Sequence, residues 1–196
     1  VTGNTISGNT ATYTAGGGMA VYVARPAISN NTITGNTSAM NGGGVSCYYY
    51  ADATITGNTI SGNTAFLGGG VSCIGLSTAV IQGNAIGQNS AGNGGGIFCD
   101  TSSPTIGADN VLDGNTARFG GGIYLAFSQA TVQQNEITNS TAAEGGGVYC
   151  YGSNATVIDN LIQGNTANET VGGGIAVYVA EPLIQHNEIL GNTAAS

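Results

Sequence analysis

The sequence predicts an all-β protein, a single-stranded parallel β-solenoid of about seven coils of ~26 residues with three short strands per coil. Three observations carry this. Gly-Gly-Gly begins at Gly16, Gly42, Gly68, Gly94, Gly120, Gly145 and Gly172, in steps of 26, 26, 26, 26, 25 and 27 residues. Apolar and polar residues alternate within each step, the period-two mark of a strand, and no window shows helical spacing. Two Ile-x-x-Asn units or close variants recur in each step, as in Ile55 to Asn58 and Ile60 to Asn63. A fixed period of this length means one small unit stacked on itself, and such rods act through long surfaces.

The elements follow in order. After each triplet an alternating segment such as Val45-Ser46-Cys47 or Ile97-Phe98-Cys99 predicts one strand. The two Ile-x-x-Asn units predict the second and third, and Thr64-Ala65 with a short loop leads to the next triplet. Each strand pairs with its equivalent one repeat later at about 4.8 Å, so seven coils give a rod roughly 34 Å long. Three inward columns result: Met19, Val45, Val71, Ile97, Ile123, Val148, Ile175; Ile28, Ile55, Ile81, Ile106, Val132, Val157, Ile184; and Ile6, Ile33, Ile60, Ile86, Leu112, Ile137, Ile162, Ile189. β-Branched residues suit such a pleated, packed surface.

Asparagine forms two further columns. Asn4, Asn31, Asn58, Asn84, Asn110, Asn135, Asn160 and Asn187 make one; Asn9, Asn36, Asn63, Asn89, Asn115, Asn165 and Asn192 make the other, with Ser140 as its exception. Stacked amides can donate to one another and satisfy the backbone in a bend, so these columns read as a structural ladder before they read as a binding strip. The glycine triplets read as corners needing φ > 0 or close backbone approach. A phosphate cradle would need a following Lys or helix start.

Cys47, Cys73, Cys99 and Cys150 share one inward column with Val21, Leu125 and Val177, where Cys serves as a small hydrophobe. Neighbouring Cα atoms about 4.8 Å apart fall within disulfide range, leaving Cys47–Cys73 or Cys73–Cys99, not both, open to bridging. No His joins the column to suggest a metal, and calcium-binding nonapeptide repeats would need an Asp after the glycines at a shorter period. No cofactor is expected.

Only 6% of residues are charged and the net charge is −8, against about 25% charged in an ordinary soluble domain. Arg25 and Arg118 are the only strong bases, which argues against a nucleic-acid partner. No apolar run reaches the ~18 residues of a membrane span. A longer period is also visible: Tyr22-Val23-Ala24-Arg25-Pro26 matches Tyr178-Val179-Ala180-Glu181-Pro182 at an offset of 156 residues, and residues 1–40 align with 157–196 without a gap. Residues 1–196 are therefore expected to form one solenoid segment, excerpted from a longer chain that repeats every six coils.

The run Asn-Thr-Ala, short loop, Gly-Gly-Gly, Val/Ile, as in Asn63-Thr64-Ala65 to Val71 and Asn115-Thr116-Ala117 to Ile123, resembles the repeats of polymorphic outer-membrane proteins and related autotransporter-like surface proteins. Their signatures are Gly-Gly-Ala-Ile and Phe-x-x-Asn; here the third residue is Gly, and Ile replaces Phe. The resemblance implies a right-handed helix and an extracellular or cell-surface location. It says little about function, because that fold carries adhesins, passengers and polysaccharide-cleaving enzymes alike.

An enzyme would need clustered carboxylates. Asp109, Asp113 and Asp159 are the candidates; Asp109 and Asp159 share a column with Gln134 between them and His186 beyond. That column falls at a bend, where a solvated turn accounts for it. An ice-binding face would need flat Thr ranks. Thr10, Thr37, Thr64, Thr116, Thr141, Thr166 and Thr193 form one with Ser90, but Thr5, Thr32 and Thr59 give way to Ala85, Val111, Glu136, Leu161 and Glu188. Tyr22, Tyr48, Tyr151 and Tyr178 are expected to face outward near one corner, with Tyr49 and Tyr50 in the adjoining bend. Exposed Tyr can stack on sugars, meet a partner, or cover strand backbone. The reading that results is an extracellular structural or adhesive rod without catalysis. Its expected partners are surface glycans and further copies, end to end or side by side.

Overall fold

The structure, a computed structural model, describes residues 1–195. It is an all-parallel β-solenoid of four sheets with eight, eight, seven and seven strands. One coil consists of Thr54–Thr56, Thr59–Ser61, Thr64–Leu67 and Val71–Ile74; these strands belong to what we term the first, second, third and fourth sheets. Every strand pairs with its counterpart one coil away, so like stacks on like: Ile33 on Ile60, Ile55 on Ile81, Val71 on Ile97. The described residues contain no helix long and apolar enough to cross a membrane.

The coil has one more strand than the alternation predicts. Thr64–Leu67 pairs with Thr37 on one side and with Ser90, Ala91 and Asn93 on the other. The segment is too short for alternation to betray it, yet its backbone stays extended past the second Asn and keeps the inter-coil ladder.

The Ile, Val and Cys columns form the main core. Ile33, Ile60, Ile86, Leu112, Ile137 and Ile162 are all fully buried, each contributing about 1.5–3 kcal/mol by leaving water. No coil could bury these side chains alone; its neighbours cap them. A second interior lies between the third and fourth sheets. Ser46, Ser72, Phe98 and Tyr149 of the fourth sheet are buried, as are Ala65, Ala117 and Ala142 of the third, and none belongs to the main core. Phe119 of the third sheet packs 5.4 Å from Tyr149 and 6.4 Å from Tyr124, and Tyr124 lies 5.4 Å from Phe98.

The glycine triplet makes this fold-back. Gly94 has φ +65°, and a Cβ on it would stand 2.5 Å from the Ile97 carbonyl. A Cβ on Gly95 would stand 2.5 Å from the Gly121 carbonyl and 2.6 Å from that of Thr116. The chain therefore reverses against its own coil and the next, with room only for hydrogen.

The Asn columns sit at two further bends, between the first and second sheets and between the second and third. Asn58 donates through Nδ2 to the Ile28 and Thr56 carbonyls at 2.9 and 3.1 Å and to Asn84 Oδ1 at 3.0 Å, and its backbone N–H donates to Asn84 Oδ1 at 2.9 Å. The same donation to the next amide links Asn31 to Asn58, Asn84 to Asn110, Asn110 to Asn135, Asn135 to Asn160 and Asn160 to Asn187. Each bend is thus satisfied by side chains that also hold the adjacent coil.

Cys47, Cys73, Cys99 and Cys150 are free, buried thiols; neither bridge left open by the spacing is formed. In-register pairing of Cys47 with Cys73 and of Cys73 with Cys99 aims their Cβ atoms the same way. It holds them about one rise, ~4.8 Å, apart, whereas a disulfide wants ~3.8 Å between Cβ atoms.

Candidate functional site

The three aspartates named from the sequence do not converge. Asp109 and Asp159 occupy the slot before the bend Asn, with φ 65° and 55°. Asn30, Gln134 and His186 hold positive φ in the same slot, and Gly57 and Gly83 fill it in other coils. Asp, Asn and Gly tolerate this left-handed conformation best, so the backbone accounts for both aspartates. His186 Nδ1 lies 3.8 Å from Asp159 at an exposed site. Asp113 instead projects from the second sheet. Its Oδ1 accepts from Thr138 Oγ1 at 3.0 Å and Asn139 Nδ2 at 2.7 Å. It shares an open depression with Glu136, a carboxylate that sequence reasoning did not place beside it. The signal was there: Val111 stacks on Glu136 and Asp113 on Thr138, so both acids leave one face. No three His, Cys, Asp or Glu side chains gather into a metal-ligand set among the described residues.

The threonine rank of the third sheet is in register from Thr10 through Thr37, Thr64 and Ser90 to Thr116. The second-sheet rank turns apolar at Ala85 and Val111.

The tyrosines share one corner, in two groups four coils apart. They lie where the fourth sheet turns into the first sheet of the following coil. Tyr22 stacks on Tyr48, and Tyr151 on Tyr178, as paired residues at the strand ends. The Tyr22 and Tyr48 rings are 6.0 Å apart; Tyr49 stands edge-on to Tyr48 at 4.4 Å and 88°. Partial loss of water, then the neighbouring Tyr49 phenol, raises the pKa of Tyr48. At the other end Tyr151 and Tyr178 lie nearly parallel at 5.7 Å, and Phe127 meets Tyr151 edge-on at 5.3 Å.

The residue after the strand end is the one the sequence reading undervalued. Val23, Tyr49, Thr101, Phe127 and Val179 occupy it with φ of 46–49°, and Gly75 and Gly152 occupy it with φ of 68° and 56°. Left-handed backbone costs an ordinary L-residue about 1–2 kcal/mol, and Val is among the least suited. In the internal coils burial repays it only in part, since Tyr49 is 46% and Phe127 60% exposed. Leu76, one residue further on, has φ 62° and is 53% exposed. Gly75 and Gly152 in the same column mark the slot as left-handed in the sequence itself.

Two open depressions flank Leu76. One runs from Tyr48 and Tyr49 across Ile74 and Gly75 to Asp100 and Thr101. The other holds Tyr50, Arg25, Asp52 and Thr78. The Thr78 hydroxyl, and then the Arg25 guanidinium 2.8 Å away, hold Asp52 below the usual carboxylate range.

Comparison with known proteins settles the family. The model for the right-handed beta helix region matches residues 1–162 and again residues 95–196. The chain is a right-handed β-helix protein. Neither the curated proteins nor the solved structures gave a match. Membership fixes the hand of the coil that spacing alone leaves open. It does not separate enzymes from non-enzymes, because this β-helix carries both.

Proposed function

We propose that this β-helix is a structural and adhesive rod, displayed outside the cell, that meets its partners through the tyrosine corner. One observation carries the reading: this edge keeps exposed Tyr49 and Phe127, both in internal coils, in left-handed backbone that Gly would adopt without strain. Packing on Tyr48 and Tyr151 leaves about half of each ring in water, and contact with a partner makes use of it. The likeness of the Asn-Thr-Ala…Gly-Gly-Gly repeats to surface-protein repeats supports the extracellular setting. The 156-residue offset supports a longer rod, since Val23 and Val179 share the same left-handed backbone.

The test is retention of the labelled rod on cell surfaces and a glycan panel, with Tyr22, Tyr49 and Tyr178 replaced together by Thr, Gly and Thr. Loss of retention in the variant supports the reading; unchanged retention overturns it. A second reading, polysaccharide hydrolysis, has in its favour the shared face of Asp113 and Glu136. Turnover of a polysaccharide that disappears in Asp113→Asn would establish it over the first.

A further inference from the structure

We propose that the cleft between Tyr49 and Asp100 receives the lysine side chain of a protein partner, an ammonium on an apolar stem. This deepens the reading of the tyrosine corner as a contact surface and rests on it.

The cleft is built by three successive coils. Tyr48 and Tyr49 form a wall of two perpendicular rings. Ile74 and Gly75, one coil along, form the floor; a Cβ at Gly75 would already touch the Tyr49 ring at 3.6 Å, so the missing side chain keeps the floor open. Asp100 and Thr101, a further coil along, form the opposite wall, and Leu76 flanks the space. The backbones of the two walls are two rises apart, about 9.6 Å. An apolar floor, an aromatic wall and a facing carboxylate fit a cation on a hydrocarbon stem, held by ring faces and by a charge-assisted hydrogen bond.

Charge selects the same ligand. Asp100 accepts from Thr101 Oγ1 at 2.9 Å and has no basic partner among the described residues. Both arginines are engaged elsewhere, Arg25 with Asp52 at 2.8 Å and Arg118 5.1 Å from the Phe119 ring centre. The net charge of −8 disfavours an anion. The chain contains no lysine, its two strong bases being Arg25 and Arg118, so a second copy cannot supply this group.

The test is titration of the isotope-labelled chain with N-acetyl-lysine amide, hexylamine, 1-hexanol and glucosamine, read at the Gly75, Leu76 and Thr101 amides. Both alkyl amines are expected to give saturable shifts, with 1-hexanol at least about tenfold weaker for want of charge. Asp100→Asn and Tyr49→Gly should each weaken the amines by about tenfold. The second variant places Gly where Gly75 and Gly152 already stand, so loss of fold will not mimic loss of binding. Equal binding of hexanol and hexylamine, an unaffected Asp100→Asn chain, or no saturable shift overturns the proposal. Glucosamine matching the lysine amide overturns the assignment to lysine. If amine binding fails while tyrosine-dependent surface retention survives, the ligand is wrong and the contact surface stands.

Discussion

Val179 sits one coil above Gly152 in the same slot, and both hold left-handed backbone, at φ 49° and 56°. One side chain bears strain that the other avoids. Val179→Gly should therefore stabilise the fold by about 0.5–1 kcal/mol, the relief of strain outweighing the added freedom of the unfolded chain. Thermal and denaturant unfolding of the variant would check this. A loss above 1 kcal/mol would mean that Val179 packs on something in the free chain.

Ser140 interrupts the second asparagine ladder. Asn89 donates to Asn115 Oδ1 at 3.1 Å, and Asn115 donates to the Ile86 carbonyl at 2.8 Å, but among the described residues Asn115 finds no amide above it. The Leu112 carbonyl receives no side-chain amide of the kind Asn165 gives Ile137 at 2.9 Å. Ser140→Asn should restore both contacts and raise stability by about 1–2 kcal/mol, measurable by the denaturant midpoint. A destabilised variant would show that the serine answers a local packing need.

Gly95→Ala should abolish folding. The added Cβ would lie 2.5 Å from the Gly121 carbonyl in the next coil's glycine bend and 2.6 Å from the Thr116 carbonyl in that coil's strand, so relief requires moving the stack. The expected loss is above about 4 kcal/mol, seen as loss of the β circular-dichroism signal. A folded variant would contradict the tight fold-back.

Burial pushes the Cys150 thiol up to about 12, whereas an unfolded thiol ionises near 8.5. Between those values the unfolded chain has released a proton that the folded chain keeps, so stability is full below pH ~8.5 and falls as pH rises. Each such thiol contributes a slope of up to about 1.4 kcal/mol per pH unit. Cys150→Ala should flatten the fall measured by unfolding between pH 8.5 and 10, and an unchanged slope would show the thiol to be solvated.

Periodicity exposed the inward columns, because Ile6 to Ile189 repeat one chemistry at one interval, and the same held for the amides of Asn58 and its counterparts. What it hid were features without a repeated residue type. The third-sheet column reads Leu67, Asn93, Phe119, Glu144, and only the fold-back at the glycine triplet puts Phe119 against Tyr149. Asp109 and Asp113 are near in sequence, yet one is a bend residue and the other faces Glu136 across the coil gap. The left-handed slot of Tyr49 and Phe127 was written in Gly75 and Gly152, but a bulky residue in it becomes informative only once its exposure is known.

The account stands on identical slots lying one rise apart along one axis. Nitroxide labels at Thr32 and Glu188, linked by six steps of in-register pairing, should give a pulsed electron–electron distance of about 29 Å. Labels at Thr54 and Thr156, four steps apart, should give about 19 Å. Distances that scale with the number of coils are the predicted result; two distances unrelated to that number would contradict the stack and everything built on it.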